Sequence, residues 1–216
     1  MAGLDLGMAF LIWLKNPRNR INIWLALSIA FLALWTFGIG MFMEAQTLRS
    51  AWFWSWFQDT AGAFMVIPFF LFSIYFPYQH FELKNWHKWL IVLSVIVVMF
   101  VILIPGVWVV DVKVSPQNND NVLNRFGLGY FAIHFYFYLT FAFVNFIRKY
   151  LKSSGVIRYQ LKYIILGTGI ISFFGSIFGV IIPLFLGRLG PFWIGPYFAV
   201  FMIIVLIYFG FFWRAK

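Results

Sequence analysis

INIWLALSIAFLALWTFGIGMFM, residues Ile21–Met43, contains no ionisable side chain and ends on an acid, Glu44. An apolar run of roughly 18 or more residues matches the ~30 Å hydrocarbon thickness of a bilayer. Five more runs of the same kind follow: Trp52–Phe76, Trp89–Trp108, Gly127–Ile147, Tyr163–Leu186 and Gly195–Trp213. Upstream, Leu6–Leu14 is too short to cross alone, and extended to Met1 it reaches only ~21 Å. The reading is an all-α integral membrane protein, a single bundle of seven transmembrane helices over residues 1–216, with the first incomplete.

Composition agrees. Apolar residues form 63% of the chain and aromatics 24%, more than the interior of a soluble fold of this size can hide. The net charge of +10 does not point to nucleic acid, because the cations lie in the gaps between apolar runs rather than in one stripe. Cysteine is absent, which removes disulfides, thiolate metal sites and cysteine nucleophiles. Met1–Leu14 lacks the basic start and small-x-small site of a cleavable signal peptide.

Charge placement predicts orientation. Alternate connections hold Lys15, Arg18 and Arg20; Lys84 and Lys88; Arg148, Lys149, Lys152, Arg158 and Lys162; and Arg214 and Lys216. The opposite set holds only Arg49, Lys113, Arg125 and Arg188. By the positive-inside rule the C-terminus is cytoplasmic and the N-terminus outside. One outer loop, residues 107–126, is long enough for structure of its own. Val107–Val114 (VWVVDVKV) is strand-like and Pro116–Asp120 (PQNND) is a turn signal, so a small hairpin and an irregular loop are both open.

Polar groups at membrane depth are functional candidates, because burying them is costly. Asp59 is the one acid within the six full runs, on a stripe with Ser55, Gly62 and Ala63. His134, Tyr138, Phe141 and Asn145 share one face of the Gly127–Ile147 helix. Asp59 and His134 both stand about 10 Å from the same membrane boundary, which permits an Asp–His pair able to titrate or to hold a small polar ligand. The other reading makes both groups structural hydrogen bonders between helices. Glu44 either joins them or is hydrated at the interface. Gly175 and Gly179 form a GxxxG pair beside Ser172, suited to close helix approach. Pro68 and Pro183 remove backbone donors in mid-span. Trp52, Trp54, Trp56, Trp86, Trp89, Trp193 and Trp213 read as interfacial anchors.

Known intramembrane chemistries find little here. No lysine lies in mid-span for a retinal Schiff base, and His134 has no histidine partner for haem. His80 and His87 lack further metal ligands. No phosphate-cradling glycine loop or nucleophile–base spacing appears. The expectation is a non-enzyme without metal or cofactor.

Several segments, in order, resemble the N-terminal seven-transmembrane sensor region of bacterial histidine kinases, also found ahead of diguanylate cyclases. NPRNRINIWLALSIAFLALWTFGIGMFMEA (Asn16–Ala45) is similar to the family's opening. WFWSWFQDTAGAFMVIPFFLFSIYFP (Trp52–Pro77) resembles its third helix, with Pro68 and the closing Phe-Pro. GLGYFAIHFYFYLTFAFVNFIRKY (Gly127–Tyr150), then RYQLKYIILG (Arg158–Gly167), resembles the fifth helix and the basic entry to the sixth. GPYFAV (Gly195–Val200) resembles the start of the last helix. The resemblance implies a membrane-embedded signal-input domain of the cytoplasmic (inner) membrane, a homodimer, with a cytoplasmic output domain or response regulator as partner. Nothing follows Lys216, so that output is expected to be absent from this chain. The alternative is a small transporter or channel component with an Asp/His proton or ion relay; a purely structural membrane protein is a third reading.

Overall fold

The computed structural model describes residues 1–78, 82–115 and 119–186. The expected last span, Gly195–Trp213, and Arg188, His80, Trp193 and Trp213 lie outside the described residues. The elements are α1 (Ala2–Lys15), α2 (Arg20–Met43), α3 (Leu48–Tyr75), α4 (Asn85–Leu103), β1 (Val109–Lys113), β2 (Asp120–Leu123), α5 (Arg125–Lys152), α6 (Gly155–Ser176), a π-helical turn (Ile177–Ile181) and α7 (Ile182–Leu186). Five helical runs are long and apolar enough to cross a membrane: α2, α3, α4, α5 and the continuous run Gly155–Leu186.

The helices start where the sequence supplies caps. Asn19, Thr47 and Asn124 accept backbone N–H bonds at the first turns of α2, α3 and α5, satisfying donors a helix leaves open. Inside the bundle, α2 and α3 pack closest. Gly38 is the reason: a Cβ there would stand 2.9 Å from Gln58 Cβ and 3.0 Å from Gln58 Cα. A long core cluster joins α1, α2, α3, α5 and α6 through Leu25, Ile29, Phe72, Phe146, Leu161 and Ile164. By contrast α4 buries only Val98 and Ile102 and turns Trp89, Leu93, Ile96 and Phe100 outward. Such a face is tolerable in lipid and not in water.

Several boundaries differ from the sequence reading; the span read as Trp89–Trp108 ends as a helix at Leu103, which leaves Trp108 just ahead of β1. Helix α5 runs to Lys152 and α6 begins at Gly155, so the basic connection expected around Arg148–Lys162 is mostly helix. Charge ends the hydrocarbon-facing part of a helix, not its hydrogen-bond ladder. Gly155, at φ 59°, makes the turn between them, and Arg158 lies over the Tyr150 ring at 4.9 Å. The short first segment is a helix back to Ala2 and packs against α2, and it carries a second buried acid, Asp5. Near the other end, the N–H of Ile182 bonds to Ile177 O, a π-type step just before Pro183. Pro183 has no N–H to offer Gly179, and its ring crowds that carbonyl, so the helix widens there.

Residues 107–126 contain an antiparallel hairpin, β1 against β2, with a register irregularity between Val109 and Asp111. Trp108, Val109, Val112 and Leu123 pack with Ile39, Phe42, Ala51 and Leu128. The hairpin therefore covers one end of α2, α3 and α5. In β2 alternate residues, Asn121 and Leu123, are buried, as expected of a strand with one face on the bundle; in β1 the irregularity leaves Val110 and Asp111 both exposed between buried Val109 and Val112.

Candidate functional site

The hairpin is fixed to the bundle by polar side chains. Trp108 Nε1 donates to Asp59 Oδ2 at 2.7 Å, and Ser55 Oγ donates to the same oxygen at 3.5 Å. Asn121 Nδ2 of β2 donates to Ser55 Oγ at 2.7 Å. Asp59, Ser55, Trp108 and Asn121 are all buried. Helical spacing puts Ser55 and Asp59 one turn apart on α3, and the bend just before β1 brings Trp108 to them. Asn119 Nδ2 donates to the carbonyls of Phe42 and Ala45 at 2.7 and 2.8 Å, closing the open end of α2. Asn124, besides capping α5, donates from Nδ2 to Gly106 O at 2.8 Å. These bonds favour one arrangement of the hairpin on the helices, although Asn121 Oδ1 is buried without a partner.

Asp59 and His134 do not pair. His134 Nε2 lies 3.3 Å from Ala63 O, one turn along α3 from Asp59, while Trp108 and Ser55 occupy the carboxyl. Equal depth from the boundary was a poor guide because the hairpin supplies a partner that helix spacing does not reveal. The face predicted on α5 is real in another sense: His134, Tyr138, Phe141 and Asn145 all line a crevice of about 750 Å³ between α4, α5 and the end of α3. Tyr138 Oη and Ser94 Oγ are 2.5 Å apart, tying α5 to α4. Asn145 Nδ2 donates to Ser73 Oγ at 3.1 Å, tying α5 to α3. One turn on, Lys149 Nζ donates to the carbonyls of Ser73, Ile74 and Phe76 at 2.7, 2.7 and 2.5 Å, capping the C-terminal end of α3.

Glu44 stands exposed at the end of α2, outside the Asp59 network. Gly175 and Gly179 make no close approach among the described residues: no heavy atom lies within 4 Å of a Cβ built at either. Together with Ser172 they line a cavity of about 180 Å³ whose other walls include Asp59, Gln58 and Trp108. The close approaches occur at Gly38, Gly62 and Gly127. Pro68 is buried within α3.

Trp108, Asn121, Asn119 and Lys149 were not singled out from sequence. Lys149 had a signal, since it continues the Tyr138–Asn145 face by one further turn. Trp108 and Asn121 had none, because their roles depend on how the hairpin folds back. Trp108→Phe keeps the ring packing against Phe131, whose centroid is 4.8 Å away, and deletes the donor. A buried acceptor left without its donor costs ~1–3 kcal/mol, so thermal unfolding in detergent should show a lower midpoint; an unchanged midpoint would mean the bond contributes nothing.

The fold is that of a multi-pass membrane domain with a polar-anchored hairpin over one end. A family model, N-terminal 7TM region of histidine kinase, matches residues 1–216. The chain belongs to that family, and so is a histidine kinase sensor region. No curated protein and no solved structure matches it.

Proposed function

We propose that this single transmembrane domain, residues 1–216, receives an extracellular or intramembrane stimulus at its hairpin end and passes it inward. It would do so through a seventh span at Gly195–Trp213, to a cytoplasmic kinase-type output domain and, through that, a response regulator. The N-terminus and hairpin face outside, the C-terminus lies in the cytoplasm of a bacterial cell, the domain sits in the inner membrane, and the receptor works as a homodimer. One observation carries the reading: the Trp108–Asp59 bond connects the exposed hairpin to the buried middle of α3. A stimulus that moves the hairpin must break or strain that bond. Coupling then requires only that the stimulus bind one helix arrangement better than the other.

Asp59→Asn in a receptor with a kinase output tests this. The amide keeps the shape and alters the bond, and a shift of about fivefold or more in basal or stimulated phosphorylation is expected. Unchanged output at normal expression would contradict a sensing role for the network. A proton or ion relay through Asp59 and His134 is less well supported, since the two do not touch; flux across liposomes carrying the domain should stay at the lipid background.

A further inference from the structure

Beneath the hairpin, the 180 Å³ cavity has an unusual combination of walls. Its one ionisable acid is Asp59, and no lysine, arginine or histidine among the described residues lines it. Both hydrogen bonds to Asp59 reach the same oxygen, Oδ2; no side chain among the described residues donates to Oδ1. Trp108 meets the carboxyl directly, and Trp35, Phe131, Phe135 and Tyr136 line the same cavity. Trp108 and Phe131 are 4.8 Å apart and Phe131 and Phe135 6.2 Å apart, centroid to centroid, so the rings form a continuous wall. Aromatic rings attract a desolvated cation through their quadrupoles, and among the described residues the cavity brings no cationic side chain to the Asp59 carboxyl. The volume is close to that of a cavity of roughly 150 Å³ known to take a benzene ring.

We propose that this cavity is a binding site for a small organic ammonium with an apolar body, its charged nitrogen at Asp59 and its body among the aromatic rings. A hard metal cation fits poorly: it needs several oxygen ligands, and no group of three His, Cys, Asp or Glu side chains occurs among the described residues. Trp108 both roofs the cavity and holds the hairpin, so an occupant touches the contact through which the proposed signal passes. The inference rests on the sensor reading for its consequence, not for the binding itself.

The probe is benzylammonium, compared with neutral benzyl alcohol of nearly the same shape, titrated into the purified chain in lipid nanodiscs by tryptophan fluorescence and calorimetry. Benzylammonium is expected to bind about tenfold or more tightly than the alcohol. Asp59→Asn should erase that preference. Gly175→Leu fills the cavity from α6, touches none of the hairpin's hydrogen bonds, and should abolish binding of both; it carries the test if the Asp59 variant fails to fold. Equal affinity for the two probes overturns the proposal. So does a preference that survives Asp59→Asn, binding that survives Gly175→Leu, or no binding up to about 10 mM. Selective binding that leaves kinase output unmoved would sink the sensor reading and keep the site. Absent binding with output still shifted by Asp59→Asn would sink the ammonium site alone.

Discussion

Gly127→Ala is expected to unseat the hairpin, at a cost of about 2–4 kcal/mol. A Cβ at Gly127 would stand 2.0 Å from Val107 O, 2.9 Å from Val107 C and 3.0 Å from Trp108 Cα. All three are backbone atoms, so no side chain can rotate away to make room. The same backbone is held from both sides. Asn124 N donates to Trp108 O at 2.8 Å, and Asn124 Nδ2 donates to Gly106 O at 2.8 Å. The added methyl must therefore push the strand off the helix or break those bonds, and either movement carries the Trp108 indole away from Asp59. Backbone conformation is not the issue, because Gly127 lies in the first turn of an ordinary α-helix. Two residues on, Gly129 has nothing within 4 Å of its Cβ position. Gly129→Ala should be neutral or gain about 0.5–1 kcal/mol from helix propensity. Thermal unfolding and signal output of the pair give the comparison. If both alanines behave alike, the hairpin does not sit against α5 as described.

Lys149→Met is expected to loosen the far end of the bundle, by about 2–4 kcal/mol. Three carbonyls at the end of α3 accept from the one ammonium. The end of a helix carries partial negative charge, which a cation offsets. Methionine keeps the length and apolar stem, and removes both the charge and the donors. Hydrogen exchange should report the loss locally, as faster exchange of the Phe72–Phe76 amides with little change in α2. Lys149→Arg, which preserves the charge, should recover part of the protection. Protection unchanged in Lys149→Met would show that water satisfies those carbonyls equally well.

How much of this was legible in the chain depends on whether a feature is local. Five of the spans were, because bilayer thickness imposes a length on apolar runs that any window reveals. The family was, because Asn-Pro, Phe-Pro and Gly-Pro punctuation recurs in order between those runs. The face of His134, Tyr138, Phe141 and Asn145 follows from helical periodicity, and all four residues do line one crevice. Pairing was not legible. Depth from a boundary suggested Asp59 with His134, whereas the carboxyl's partner is an indole at the entry to a hairpin that folds back over the bundle. Close approach was legible only in part: among the described residues the tight glycine contacts include Gly38 and Gly127, and neither stands in a small-xxx-small motif singled out from the sequence. The α5–α6 connection was misplaced because cations mark the membrane boundary, and the helices continue through it.

Sidedness underlies every functional statement, since a stimulus from outside can reach the hairpin only if the hairpin is outside. The chain has no cysteine, so single cysteines can be introduced without background. Val110, exposed on the hairpin, and Val156, exposed at the α5–α6 turn, are suitable positions. In intact cells a membrane-impermeant maleimide should label Val110→Cys, and should label Val156→Cys only after permeabilisation. Labelling of Val156→Cys from outside, with Val110→Cys protected, would invert the domain and contradict the account.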